Sequence, residues 1–343
     1  MEVPSILLNR LLAETAKRGA ASLHLTVGSK PTWRLSGVLT PMEKENIVTA
    51  ELLMKIIGSF LTADETNQLA ADKEIVLVKT FGSSFRFRVN VFYQKKMLAC
   101  SFFFISEQLR DLKEYKLPPA LIEALDSGSG LLIVAGPKGS GKTSLAASLI
   151  EEINKTQSQR IITIEKPVEY AFTSKKSMIE QRTVGLDAKS FVSALEYCLE
   201  EDVEVVLVGE INEGLDQAAP VILELAAGNA LVILEVNASN SIRAVEKILN
   251  GAKAGLPDEA ARYGLADALL GVIVMELLPR RGGGLIPALE VMLVNSAVKA
   301  LIREGKIYQL DSVIQTSRQE GMVSMEKAVA DLVEAGEVSQ GEI

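Results

Sequence analysis

The sequence predicts an α/β fold with a mostly parallel sheet, preceded by a smaller α+β domain. Two observations carry that prediction. From Ala120 onward, apolar runs at 131–135, 160–165, 204–210 and 230–236 alternate with helical stretches. This is the βα rhythm of a parallel sheet covered on both faces. Before that point, 22–28, 31–37, 74–80, 84–94 and 97–105 read as strands by alternation or β-branched content. Helices there are confined to about 4–17 and 50–70, which predicts an antiparallel sheet.

Taken in order, the first helix is amphipathic, with Ile6, Leu7, Leu11, Leu12 and Ala16 near one face. It lacks a basic start followed by a long apolar run, so it does not read as a signal peptide. The charged stretch 106–119 ends in Pro118-Pro119 and reads as a connector. The expected domains are therefore 1–106, a linker over 107–119, and 120–343. The run ALLGVIVMELL (268–278) carries Glu276 and reads as a buried element. No run reaches the roughly 18 apolar residues of a membrane span. The last 50 residues read as small helices.

Composition narrows the function classes. The 343 residues are 48% hydrophobic with a net charge of −8, which argues against nucleic acid as a partner. Two cysteines, Cys100 and Cys198, supply neither a disulfide framework nor metal-ligand spacing, and the chain reads as cytoplasmic. His24 is the only histidine, so a histidine base elsewhere is excluded.

GPKGSGKT, Gly136 to Thr143, matches the phosphate-binding pattern G-x-x-x-x-G-K-[ST] in full. It lies between an apolar strand (131–135) and a helix (143–154), the context that gives the motif its chemistry. The loop Gly136, Pro137, Lys138, Gly139, Ser140 and Gly141 would turn backbone N–H groups toward a triphosphate. The helix beginning near Lys142, Thr143 and Ser144 would add partial positive charge. Lys142 would reach the β- and γ-phosphates of ATP or ADP, and the Thr143 hydroxyl would coordinate Mg²⁺. EVVLVGE (204–210) reads as a strand ending in Glu210, placed to bring a carboxylate beside the metal and the attacking water. IITIEKPVEY (161–170) offers Glu165 and Glu169 where parallel sheets bind ligands.

At this point the chain resembles the twitching-motility (PilT-type) ATPases of type IV pilus retraction, within the secretion-ATPase superfamily. The likeness runs over nearly the whole length. It is carried by RGAASLHLTVGSKPTWRLSGVL (18–39), SFRFRVNVF (84–92), IITIEKPVEY, the stretch from Glu169 to Glu210, KALIREGKIYQLDSVIQTS (299–317) and GMVSMEKAV (321–329). The resemblance implies a RecA-like core, a PAS-like N-terminal domain and a homohexameric ring. It also implies a site peripheral to the inner membrane, where ATP hydrolysis drives filament disassembly through a platform protein. Glu169 matches the glutamate that activates water, and Glu210 the one that organises Mg²⁺. Arg86 and Arg88 match arginines that reach a nucleotide at a subunit junction, a task suited to guanidinium.

The chain also departs from the pattern. Lys166 stands for the aspartate of the Asp box. Ala230 and Asn237 stand for the histidines of the His box, and Glu196 and Glu200 for two arginines. INEG (211–214) follows the second strand motif, and Phe103 replaces an arginine, while Arg182 is retained. These changes leave nucleotide binding complete and alter the sensing and interface positions, so slow hydrolysis is expected. The alternative is a catalytically weak ATP-binding regulatory subunit of a pilus or secretion motor. An assembly or secretion motor is disfavoured, since those carry a further domain and a four-cysteine insertion.

Overall fold

The computed structural model describes residues 3–339 apart from Ser36, Ser83, Glu107, Ser127 and Asn229. The chain divides into two compact units, one of Met1–Gln108 with Gly282–Gly284 and a second of Leu109–Arg281 with Leu285–Ile343. Glu107, at the expected start of the connector, lies outside the described residues. Leu112 and Tyr115 of that stretch are buried in an apolar cluster of the second unit, so the segment is packed rather than a solvated tether. No helix among the described residues is long and apolar enough to cross a membrane.

The first unit contains helices α1 (Pro4–Lys17), α2 (Ala50–Gly58) and α3 (Ala63–Asp72). Its strands are β1 (Ser22–Thr26), β2 (Thr32–Leu35), β3 (Val38–Pro41), β4 (Glu74–Phe81), β5 (Phe85–Gln94) and β6 (Met97–Ile105). They form one sheet in the order β3-β2-β1-β6-β5-β4, with every pair antiparallel. The buried stripe of α1 is Leu8, Leu11, Leu12 and Thr15, while Ile6 is 56% exposed. This stripe is rotated from the expected one because a threonine can join it at little cost. The Thr15 hydroxyl donates to the Leu11 carbonyl at 2.7 Å and accepts from Trp33 Nε1 at 3.0 Å, so this hydroxyl and the Trp33 N–H are both paired in the core. The single helix expected over 50–70 is two helices. Thr62 caps α3 reciprocally with Glu65, and this T-x-x-E signal overrides the continuous periodicity. Strand β3, unforeseen in the sequence, is a short sheet edge with Val38 and Leu39 exposed.

The second unit contains α4 (Pro119–Leu125), β7 (Gly130–Gly136), α5 (Lys142–Thr156), β8 (Arg160–Glu165), β9 (Met178–Thr183), α6 (Phe191–Glu200), β10 (Val205–Val208) and α7 (Leu215–Ala227). It continues through β11 (Leu231–Asn237), α8 (Ser241–Ala252), α9 (Asp258–Ala268), β12 (Leu269–Pro279), β13 (Leu285–Leu293), α10 (Ser296–Arg303), α11 (Leu310–Thr316) and α12 (Met325–Glu334). The seven strands run in the order β13-β12-β7-β11-β10-β8-β9. All neighbours are parallel except β13 against β12. Side chains along β7 divide by parity, as a period of two requires. Leu131, Ile133 and Ala135 enter one apolar cluster, and Leu132 and Val134 the other. Both faces of the sheet are thus covered, and these strands read as unbroken apolar runs for that reason.

Two strands of this sheet escape the sequence pattern, and both are edges. β9 is polar and half-buried along most of its length, and β13 contains Pro287, which an edge tolerates. β10 stops at Val208, so Glu210 stands in the loop two residues past the strand rather than at its last position.

Candidate functional site

Four adjacent parallel strands of the second sheet end on one side. β7 runs into the glycine loop, β8 ends on Glu165, the loop after β10 carries Glu210, and β11 passes through Glu235 to Asn237. Asn237 lies in register with Gly136. Carboxyl ends of parallel strands are where such sheets bind ligands.

The loop needs its glycines on steric grounds. Gly136 has φ 151°, and a Cβ there would lie 2.4 Å from the Met275 carbonyl oxygen and 2.4 Å from Ser140 Oγ. Gly141 has φ 93°, and a Cβ there would lie 2.7 Å from Met275 Cε. Pro137, Lys138 and Gly139 are exposed at the loop tip. Helix α5 begins directly at Lys142, so first-turn N–H groups remain available to an anion. Ser140 Oγ is buried and makes no hydrogen bond among the described residues.

Lys142 is a buried lysine. Its Nζ donates to the Pro137 carbonyl at 3.1 Å and lies 3.3 Å from Glu210 Oε2. Glu210 also accepts from Asn237 Nδ2 at 3.4 Å. The Thr143 hydroxyl donates to Glu235 Oε2 at 2.8 Å. Ser144 Oγ and the Tyr170 hydroxyl share a hydrogen bond of 2.7 Å. The Tyr170 carbonyl in turn accepts from Gln181 Nε2 at 2.8 Å, which ties the loop bearing Glu169 to β9.

Burial dominates the electrostatics. It pushes the Glu165 carboxyl up to about 7, against hydrogen bonds from Thr163 and the Glu169 backbone, and the Glu169 charge adds to the rise. Burial pushes Glu235 up to about 8. There the Thr143 hydrogen bond and Lys142 lower it, while Glu165 and Glu169 raise it. Glu165, Glu169, Glu235 and Lys142 therefore form one electrostatically linked group.

Glu165 has a testable effect on stability. Its folded pKa of about 7 stands above the 4.5 of a free glutamate, so the folded state holds a proton that the unfolded chain has lost between those values. Stability falls as pH rises through that window, by roughly 3 kcal/mol for this one group. Glu165→Gln should make the decline shallower, with the part due to Glu235 remaining. Thermal melts at pH 5 and pH 8 check it, and parallel profiles for wild type and variant would refute it.

The donor chemistry suits Mg²⁺. The Thr143 hydroxyl and the neighbouring carboxylates are hard oxygen donors. No group of three or more His, Cys, Asp or Glu among the described residues could hold a metal by itself. A magnesium ion here would thus depend on phosphate oxygens, its usual mode of binding.

Arg86 and Arg88 lie on β5 in the first unit, both half-buried and alternating with the buried Phe87 and Val89. The Arg88 guanidinium sits 4.9 Å from the centroid of Phe103. Glu196 and Glu200 are exposed on α6. Arg182 packs over Tyr197 at 4.9 Å and donates to the Asp187 carbonyl at 3.2 Å. Two site residues escape sequence reasoning, Glu235 and Tyr170. Glu235 does leave one signal, a lone carboxylate inside an apolar strand, which must be paired if buried.

The family described as type II/IV secretion system protein matches residues 2–273. A twitching motility protein of Neisseria gonorrhoeae is 36% identical over 252 residues, 73% of this chain and 67% of the relative. A type IV pilus retraction ATPase, PilT, of Pseudomonas aeruginosa is 31% identical over 340 residues, 97% of this chain and 96% of the relative. Among solved structures, the pilus retraction motor PilT with bound ADP superposes with a TM-score of 0.76 at 31% identity, covering 93% of this chain and 95% of that one. The Legionella pneumophila ATPase DotB gives 0.83 at 19% identity, covering 98% and 94%, a likeness of fold alone.

Proposed function

Because the chain belongs to the type II/IV secretion system protein family, we propose that it is an Mg²⁺-dependent ATP hydrolase working as a motor of the pilus-retraction type. One observation carries the reading. Lys142 faces Glu210 at 3.3 Å and Thr143 bonds Glu235 at 2.8 Å beside a glycine loop at the ends of adjacent parallel strands, in a chain similar over almost its full length to a retraction ATPase.

In this reading the backbone from Gly136 to Ser144 cradles the phosphates of ATP or ADP. Lys142 exchanges the Pro137 carbonyl and Glu210 for phosphate oxygens. Thr143 would hold Mg²⁺, with Glu210 ordering the water around it, and the bound ion supplies charge neutralisation on the phosphates. Glu169 accepts a proton from the attacking water. Catalysis is then mainly positioning and charge stabilisation. Arg86 and Arg88 complete the site of a neighbouring subunit in a hexameric ring. The ring docks in the cytoplasm on an inner-membrane platform protein, and domain motion drives filament disassembly. A second reading, a catalytically weak nucleotide-binding subunit, is favoured by the exposed Glu196 and Glu200 and by the long 3.4 Å contact of Asn237.

Light scattering with ATP and Mg²⁺ at tens of micromolar protein should give the mass of a hexamer, and phosphate release should depend on Mg²⁺. A persistent monomer would sink the ring. Release no faster than in Glu169→Gln would favour the second reading.

A further inference from the structure

The Thr143 side chain, the group expected at the metal, is held by the carboxyl group of Glu235, which no sequence motif marks. Its hydroxyl has one proton and two acceptor lone pairs. The proton is committed to Glu235 Oε2 at 2.8 Å, which turns the lone pairs away from Glu235. The backbone fixes this arrangement. Glu235 lies in register with Val134 of β7, two residues before the loop, and β11 pairs with β7 along its whole length from Leu231 to Asn237.

The other candidate for this task is engaged elsewhere. Glu210 faces the Lys142 ammonium at 3.3 Å and the Asn237 amide at 3.4 Å. In P-loop enzymes generally, a strand carboxylate works together with the loop Ser/Thr to hold Mg²⁺. Glu235 is only 4% exposed in a strand that is otherwise apolar up to its exposed last residue, Asn237. A buried carboxyl in such a place is costly unless it is hydrogen-bonded, and the Thr143 hydroxyl supplies that bond.

We propose that Glu235 is a positioning residue for the metal, orienting the Thr143 hydroxyl so that its oxygen faces the ion, while Glu210 serves the water shell once Lys142 has turned from it to the phosphates. The division of labour rests on the nucleotide-site reading above. It assigns the two carboxylates different effects. Loss of Glu235 weakens the coupling between metal and nucleotide and leaves metal-free nucleotide binding in place.

The test is ADP affinity by calorimetry in EDTA and in excess Mg²⁺, with the Mg²⁺ concentration for half-maximal phosphate release as a second readout. In Glu235→Leu, which fills the space without an acceptor, Mg²⁺ should tighten ADP on the order of 10-fold less than in wild type. The half-maximal Mg²⁺ concentration should rise on the order of 10-fold, as loss of a supporting partner of a metal ligand does. ADP affinity in EDTA should change less than about 2-fold, a selectivity that general damage to the fold would not give. Glu235→Gln, which keeps an oxygen to accept from Thr143, should retain most of the wild-type effect. If Glu235→Leu does not fold, Glu235→Val carries the same expectation. An unchanged Mg²⁺ effect in the apolar variants, or an equal loss in EDTA, overturns the assignment of Glu235 alone. Failure of wild type to bind ADP in either condition overturns the nucleotide-site reading, and this inference with it.

Discussion

Lys142→Ala is expected to weaken ADP binding by at least about 10²-fold, the largest binding effect of any single substitution in this chain. A charge-assisted hydrogen bond contributes about 1.5–3 kcal/mol, and one ammonium serving two phosphates would lose more than one such bond. The lysine is already in place, with its stem buried and its ammonium held between the Pro137 carbonyl and Glu210. Little ordering cost therefore remains when it exchanges partners. The variant also leaves Glu210 without its cation, and that carboxylate would then repel the incoming phosphates. Calorimetry with ADP, on protein whose thermal melt matches wild type, measures the effect. An unchanged affinity would remove the phosphate loop from the proposed site.

Glu169→Gln should separate binding from chemistry. A positioned base contributes about 10²–10⁴-fold to rate, so phosphate release should fall by at least about 10²-fold while ADP affinity holds. Glu165 is the natural control. It lies four residues earlier at the end of β8 and is buried. Its carboxyl is pushed up to about 7, which makes it a rival base on electrostatic grounds alone. Its hydrogen bond from Thr163 at 2.7 Å ties it back along its own strand, whereas Glu169 is only half-buried. Glu165→Gln should therefore retain much more activity than Glu169→Gln. The reverse order would move the base from one glutamate to the other.

The parts of this molecule that were legible in the sequence are those written locally. The glycine loop is contiguous, and its flanking strand and helix follow from unbroken apolar runs. The antiparallel first sheet announces itself by alternation. What was hidden depends on contacts between distant segments. Thr143 and Glu235 are 92 positions apart, and nothing in LVILEVN says which side of the strand meets the loop. The edge strands β3, β9 and β13 are short, polar or proline-bearing, because an edge does not need two buried faces. The break between α2 and α3 was written in Thr62 and Glu65, a capping signal that periodicity alone overlooks. The stripe of α1 was misjudged because Thr15 counts as polar, although both of its hydrogen bonds are internal.

The strand order has a consequence for how the site comes into being. β7 pairs with β11 and β12, segments that follow it by about a hundred residues or more, and not with its nearest successor β8. The chain must close long loops before the central strand has any neighbour, and closure entropy is lost before those pairings repay it. Folding of this unit is thus governed by non-local encounters and is slow for its size. The glycine loop at the end of β7 acquires its shape only once β11 and β12 have docked. A nascent or truncated chain ending before Leu231 would carry the complete phosphate motif and still have no site. Nucleotide that binds only the finished unit would pull the folding equilibrium forward by mass action.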